Sequence, residues 1–335
     1  MDWLKDMMVD NMDKYFGDVY SFEPNEKENT LQDIENYKND METKCKYLPC
    51  MKTLHINISK TDAFYCIDID DYSNEVKLIG NNSYELPTDI THLQVTDLWY
   101  DRFNFNVLDS TSLVYLSIVG NQQRCDDKLF INKINRFPPN LLYLHIGVYY
   151  NNELDNLPFG LRYLKIGEHY NQPLDNLPAT LEVLEFDRPS TFNQPLDKLP
   201  MGLKRLYFDR YSEFNQPLDN LPNSLEEITF YLDCEFSHPL LNLPNSLKRL
   251  RIDNYDYNHY INVYYLDKLE ILECSLMINK KQDYEQVKLP KHLEQCRFRI
   301  NIEYISKVEY KDVKEYFKLT YPNVKFYFWK IGKFA

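Results

Sequence analysis

Phe192-Asn193-Gln194-Pro195-Leu196-Asp197-Lys198-Leu199-Pro200-Met201-Gly202-Leu203-Lys204-Arg205-Leu206-Tyr207-Phe208 recurs, with small changes, along most of the chain. It ends on Leu-x-Φ, where Φ is a large apolar residue. That period of two puts Leu206 and Phe208 on one face of a short strand and Tyr207 on the other. Its first half carries Pro195 and Pro200, which remove amide donors and disfavour helix in the residues before them. Each strand should therefore be followed by an extended or 3-10 return, not by an α-helix.

Working outward, Leu-Pro appears at Leu157-Pro158, Leu177-Pro178, Leu199-Pro200, Leu221-Pro222 and Leu243-Pro244, in steps of 20, 22, 22 and 22 residues by subtraction. The frame L-P-x-x-L-x-x-L-x-Φ follows each one, as in Leu177, Leu181, Leu184, Phe186. It extends to Phe137, Leu141, Leu144, Ile146, to Leu289, Leu293, Cys296, Phe298, and to Leu86, Ile90, Leu93, Val95. Degenerate copies fill the gaps at Leu108 to Ile118, Leu269 to Cys274 and Leu48 to Ile56. One unit cannot bury its own leucines, so it must stack on copies of itself, all running the same way. The expected fold is a leucine-rich-repeat-like solenoid of about ten turns of roughly 20 to 23 residues. Its parallel β-sheet of about ten short strands would extend on the order of 45 Å at about 4.8 Å per strand.

Phe214-Asn215-Gln216-Pro217-Leu218 repeats the return segment, Tyr170-Asn171-Gln172-Pro173-Leu174 varies it, and Phe236-Ser237-His238-Pro239-Leu240 keeps its frame. On these residues the chain resembles the FNIP-repeat proteins, leucine-rich-repeat relatives abundant in social amoebae and in the large DNA viruses of amoebae. The family's four-residue signature stands here as Phe-Asn-Gln-Pro, with Gln194 and Gln216 where isoleucine is usual. The resemblance implies a protein-interaction scaffold. In some members an N-terminal F-box joins the repeats to a ubiquitin ligase.

Three regions are expected: a helical N-terminal cap or divergent domain at 1–47, repeats at 48–300, and a C-terminal helix-strand cap at 301–335. Leu31, Ile34, Tyr37, Met41 and Cys45 lie at helical spacing behind Thr30, a residue type suited to an N-cap. Residues 1–47 have the length of an F-box-like module that would recruit a ligase adaptor, yet Leu48-Pro49 belongs to the repeats. Ser306-Lys307-Val308-Glu309 fits a capping box, opening a helix with Val308, Val313, Tyr316 and Phe317. Val324, Phe326 and Phe328 then alternate as a final strand that closes the ladder.

A formal net charge of -13 denies the chain the overall positive field that attracts phosphate backbones, so nucleic acid is not an expected partner. Seven cysteines with no C-x-x-C pair suit neither a disulfide framework nor a zinc site. Met1-Asp2-Trp3-Leu4-Lys5-Asp6 carries acids where a signal peptide carries bases, and no apolar run nears the roughly 18 residues of a membrane helix. These features point to a cytoplasmic protein with no membrane partner, in the host cytoplasm if viral.

No catalytic, cofactor-binding or metal site is expected. The histidines show no H-x-x-x-H pair, and 8 glycines form no phosphate-cradling loop. Cys274 and Cys296 stand where other turns hold Phe or Leu, as small core residues. Cys45 and Cys50 lack a visible pairing geometry. Asp155, Asp175, Asp197 and Asp219 recur because the repeat recurs, as turn or solvated acids. Asn171, Asn193 and Asn215 should form an amide ladder between turns.

What varies between turns is the strand face. The candidate partner-binding residues are Tyr143, His145, Tyr163, Lys165, Arg205, Tyr207, Arg249 and Arg251, expected to stand outside the core, with His145 facing solvent. Tyrosine and arginine often dominate protein interfaces. A protein partner of unknown identity follows, with a ubiquitin-ligase adaptor as the alternative.

Overall fold

The computed structural model describes strand backbones at 53–58, 65–68, 77–79, 83–85 and 92–96, and residues 113–118, 134–147, 150–254, 257, 259, 263–276, 284–301 and 305–331. The chain divides into two units, Met1–Met51 and Lys52–Ala335. The first lies outside the described residues, and with it the N-terminal helices, the F-box-like module and Cys45 and Cys50.

In the second unit each Leu-x-Φ triplet sits in a strand. These are β1 (Thr53–Ile58), β5 (His92–Thr96), β6 (Tyr115–Ile118), β7 (Tyr143–Ile146) and β8 (Tyr163–Ile166). The series continues through β9 (Val183–Phe186), β10 (Arg205–Phe208), β11 (Glu227–Phe230), β12 (Arg249–Ile252), β13 (Ile271–Leu276) and β14 (Gln295–Asn301). All pair in parallel with the leucines in register, for example Leu144 with Leu164, Leu164 with Leu184 and Leu184 with Leu206. The degenerate copies obey the same register: Leu54 meets Leu93, Leu116 meets Leu144 and Leu272 meets Leu250.

The ladder has thirteen strands because both ends add one. At one end β2 (Tyr65–Asp68) runs antiparallel to β1 and covers its open edge, while β3 (Lys77–Ile79) and β4 (Ser83–Glu85) form a separate hairpin. At the other end α1 (Lys307–Thr320) leads into β15 (Lys325–Ile331), which lies parallel to β14. The capping box forms: the Glu309 amide donates to Ser306 Oγ at 3.2 Å and the Ser306 amide to Glu309 Oε2 at 2.7 Å. Tyr310, Val313 and Phe317 are the buried stripe of α1. Val308, expected on that stripe, is exposed, because it lies nine residues before Phe317, about two and a half turns, and so on the opposite face of the helix.

Two aromatic columns fill the core. Phe186, Phe208 and Phe230, the Φ residues of β9 to β11, stack with centroids 5.1 and 4.7 Å apart. The first residue of each return segment forms the second column, through Tyr150, Tyr170, Phe192, Phe214, Phe236 and Tyr257. The columns interlock, with Phe208 4.4 Å from Phe214 and Phe230 4.2 Å from Phe236. Fully buried leucines complete the interior.

The described residues of the return segments from β7 to β12 are extended and broken by turns, without helix. Their polar groups bridge turns. Asn193 Oδ1 accepts from the Asn215 amide at 2.9 Å, Asn171 Oδ1 from the Asn193 amide at 2.9 Å, and Asn151 Oδ1 from the Asn171 amide at 2.8 Å. Gln194 and Gln216, in the slot where isoleucine is usual, donate a second hydrogen bond to the same acceptors at 3.1 Å each. The recurrent aspartates remain exposed and make a looser ladder, Asp155 accepting from Asn176, Asp175 pairing with Lys198 and Asp197 accepting from Asn220.

Candidate functional site

The strand face is built by the residue before each Leu-x-Φ triplet and the one between Leu and Φ, continued by the residue after Φ. Strand register therefore brings all eight candidate residues to one face, in two neighbouring columns. Tyr143, Tyr163, Arg205 and Arg249 belong to the first, and His145, Lys165, Tyr207 and Arg251 to the second. They are not one cluster: four lie on β7 and β8, two on β10 and two on β12.

The face has three zones. On β6 to β8 the rings of Tyr115 and Tyr143 stack at 4.4 Å, and Tyr163 follows at 4.7 Å. Burial pushes the Tyr115 hydroxyl up to about 12. After Φ on β7 and β8 stand Gly147 and Gly167, whose backbones lie so close that a Cβ on Gly167 would meet the Gly147 carbonyl.

Acids dominate β9 to β11. Lys165 Nζ reaches Glu185 Oε1 at 2.9 Å and Asp187 Oδ1 at 3.4 Å, and the Tyr163 hydroxyl bonds the other Glu185 oxygen. His145 does not stand in solvent as its position suggested. Its Nε2 lies 3.2 Å from Asp187 Oδ2 and its Nδ1 3.2 Å from Ser117 Oγ. In the neutral ring, Nε2 donates to the carboxylate and Nδ1 accepts from the serine. This Ser-His-Asp chain is not set up as a nucleophile, because Ser117 is 2% exposed and no substrate carbonyl can approach its Oγ.

Asp187 and Asp209 occupy equivalent places one turn apart. Burial alone would raise the Asp187 carboxyl, but Lys165 and His145 overcome it and hold it well below the usual range. Asp209 has the Arg210 amide at 2.6 Å, with Glu185 and Asp187 nearby, and burial lifts it to about 6.

Tyr207 departs from expectation. It is 8% exposed instead of projecting, its hydroxyl donating to Glu227 Oε2 at 3.0 Å on β11, where Thr229 is its register partner. Arg205 Nε lies 3.8 Å from the same carboxylate.

On β12 to β15 the face is cationic. Arg251 Nη2 lies 3.0 Å from Asp253 Oδ2, and Glu273 collects Arg251, Arg297 and Arg299 at 3.4 to 3.5 Å. Arg297, Arg299, Tyr327 and Trp329 fall outside the sequence-derived site residues. The alternation Cys296-x-Phe298-x-Ile300 carried the signal, since it places both arginines opposite the core face.

Among the described residues no group of His, Cys, Asp or Glu has a metal-holding arrangement, and no helix is long and apolar enough to cross a membrane. Cys274 and Cys296 are core residues; burial pushes the first thiol up to about 12 and the second well above its ordinary value.

The family described as FNIP Repeat matches residues 150–188 and 192–233, the segments whose Asn ladder and aromatic columns are most regular. Residues 150–233 carry FNIP repeats. No curated protein matches it significantly. Among solved structures it is similar to CroV588, described as a novel circular LRR protein, at 26% identity over 65% of this chain and 38% of that one, with a TM-score of 0.37. It is also similar to the internalin InlF of Listeria monocytogenes, at 17% identity over 72% and 68%, with a TM-score of 0.44. YopM of Yersinia enterocolitica matches at 19% identity over 65% and 49%, with a TM-score of 0.38. The chain thus spans less than half of CroV588 and of YopM. The matched segments hold β8 to β11 of the parallel, leucine-rich-repeat-like ladder.

Proposed function

We propose that this chain is a non-enzymatic interaction scaffold that binds a protein partner in the cytoplasm, on the strand face of its FNIP-repeat ladder. One observation carries the reading. The in-register columns gather Tyr143, Tyr163, Arg205, Arg249 and Arg251 on a single face, whereas the return segments present the same Asp, Asn and Pro from turn to turn. A surface that differs at every rung can specify a partner, and one that repeats cannot. Much of the face is internally hydrogen-bonded, which fixes its side chains before binding and lowers the entropic cost of association. Residues 1–47, where a ligase adaptor would dock, lie outside the described residues, and the scaffold reading stands without that module.

Site-specific photo-crosslinking in the native cell tests this. A crosslinker at Tyr163 should trap a discrete partner, and one at Asp219, in a return segment, should not. Replacing Tyr163, Arg205 and Arg249 together by alanine should remove the crosslinked species and leave the circular dichroism spectrum intact. Trapping from Asp219 alone would sink the proposal.

A further inference from the structure

The end of the strand face on β12 to β15 has the wrong charge for its protein. In a chain of net charge -13, its described residues present Arg249, Arg251, Arg297, Arg299 and Lys325 against Asp253 and Glu273. The two carboxylates lie beneath, at 0% and 3% exposure, and three guanidiniums share them from above. Five cations set against two carboxylates leave this face of the four strands with an excess of three positive charges.

These arginines are also held in place from the side. Arg251 lies over Tyr231 at 4.8 Å, Arg297 over Tyr327 at 5.5 Å and Arg299 over Trp329 at 5.2 Å. Aromatic shelves and buried carboxylates together pre-order the forks, so little side-chain entropy remains to be lost on binding. Like charges crowd one another here. Burial, then the charges of Arg251 and of Arg210 at the rim, push Arg299 down to about 9. An incoming anion relieves that repulsion.

We propose that the β12 to β15 end of the strand face is a cationic dock for an acidic, extended segment of the protein partner, with Arg249 on its surface and Arg210 at its rim. This deepens the strand-face reading and rests on it. Four strands at about 4.8 Å span roughly 15 Å between outer axes, which suits an extended peptide of about five residues. A nucleic acid fits less well, because Glu185, Asp187, Asp209 and Glu227 on the adjoining strands would repel a continuing phosphate backbone.

Fluorescence anisotropy of the full chain with a labelled ten-residue oligo-glutamate, at low salt, provides the test. Arg251 and Arg299 are unsuitable probes, since removing either strands a buried carboxylate. The double variant Arg210→Glu/Arg249→Glu should fold, with an unchanged melting curve, and weaken oligo-glutamate binding at least tenfold. Lys311→Glu/Lys318→Glu, the same charge change on exposed α1, should change it less than twofold. Absence of oligo-glutamate binding, or equal loss in the two double variants, overturns the dock. So does a short DNA duplex that binds more tightly than the peptide and is lost in the first double variant. If Tyr163 still crosslinks the native partner equally well in Arg210→Glu/Arg249→Glu, only the dock falls; if Tyr163 traps nothing, the strand-face reading falls.

Discussion

Asp187 and Asp209 show how far neighbours alone can separate two identical side chains. The depressed carboxyl of Asp187, between Lys165 and His145, contributes stability that is present above the unfolded carboxylate range near pH 4 and lost as pH falls below it. Asp209, raised to about 6, does the reverse: the native state holds its proton more tightly than the unfolded state, so stability declines as pH rises from about 4 to about 6. Asp209→Asn should therefore stabilise the protein at pH 7 by on the order of 2–3 kcal/mol, with the gain fading below pH 4. Asp187→Asn should destabilise it at pH 7, with the loss shrinking in acid. Urea denaturation from pH 3 to pH 8 measures both, and shifts of the same sign would refute the electrostatic account. Asn193 offers a second contrast. Asn193→Ala leaves the Asn215 amide without its partner and Gln216 without its acceptor, at about 1–3 kcal/mol, whereas Asn193→Asp keeps an acceptor for both and should cost less in a thermal melt.

At the scale of single turns, backbone proximity sets the tolerance. A Cβ on Gly167 would sit 2.4 Å from the Gly147 carbonyl carbon, backbone that cannot swing aside, while a Cβ on Gly160 would meet nothing within 4 Å. Gly167→Ala should cost about 1–3 kcal/mol and Gly160→Ala close to nothing, as measured by chemical denaturation. The elements themselves were legible wherever a turn carried Leu-x-Φ, since that triplet fixes the face and the parallel register together. β2, β3 and β4 were not, because residues 59–85 lack a repeat frame and antiparallel pairing depends on turns that leave no periodic trace. Sharing of the strand face was equally readable. Cover on that face was not: Tyr207 is held down by Glu227 on the next rung, and His145 is tied to Asp187 two strands away. Lateral neighbours decide such details, and they are set by the sizes of residues some 22 positions apart.

Across the whole ladder, stability is a sum of turns and the interfaces between them. Leu206 sits fully buried between Leu184 and Ile228, so the core defect of Leu206→Ala has immediate partners only on β9 and β11. The truncation should cost roughly 2–5 kcal/mol, and in a nearest-neighbour ladder that loss does not spread evenly. Hydrogen exchange should show faster opening of amides on β9, β10 and β11, with β7 and β14 keeping more of their protection. The C-terminal end has an independent anchor, since Phe317 of α1 packs on Phe298, Phe326 and Phe328. Uniform acceleration from β6 to β15 would mean instead that these ten strands open as a single cooperative unit, and that the aromatic columns transmit the defect along their full length.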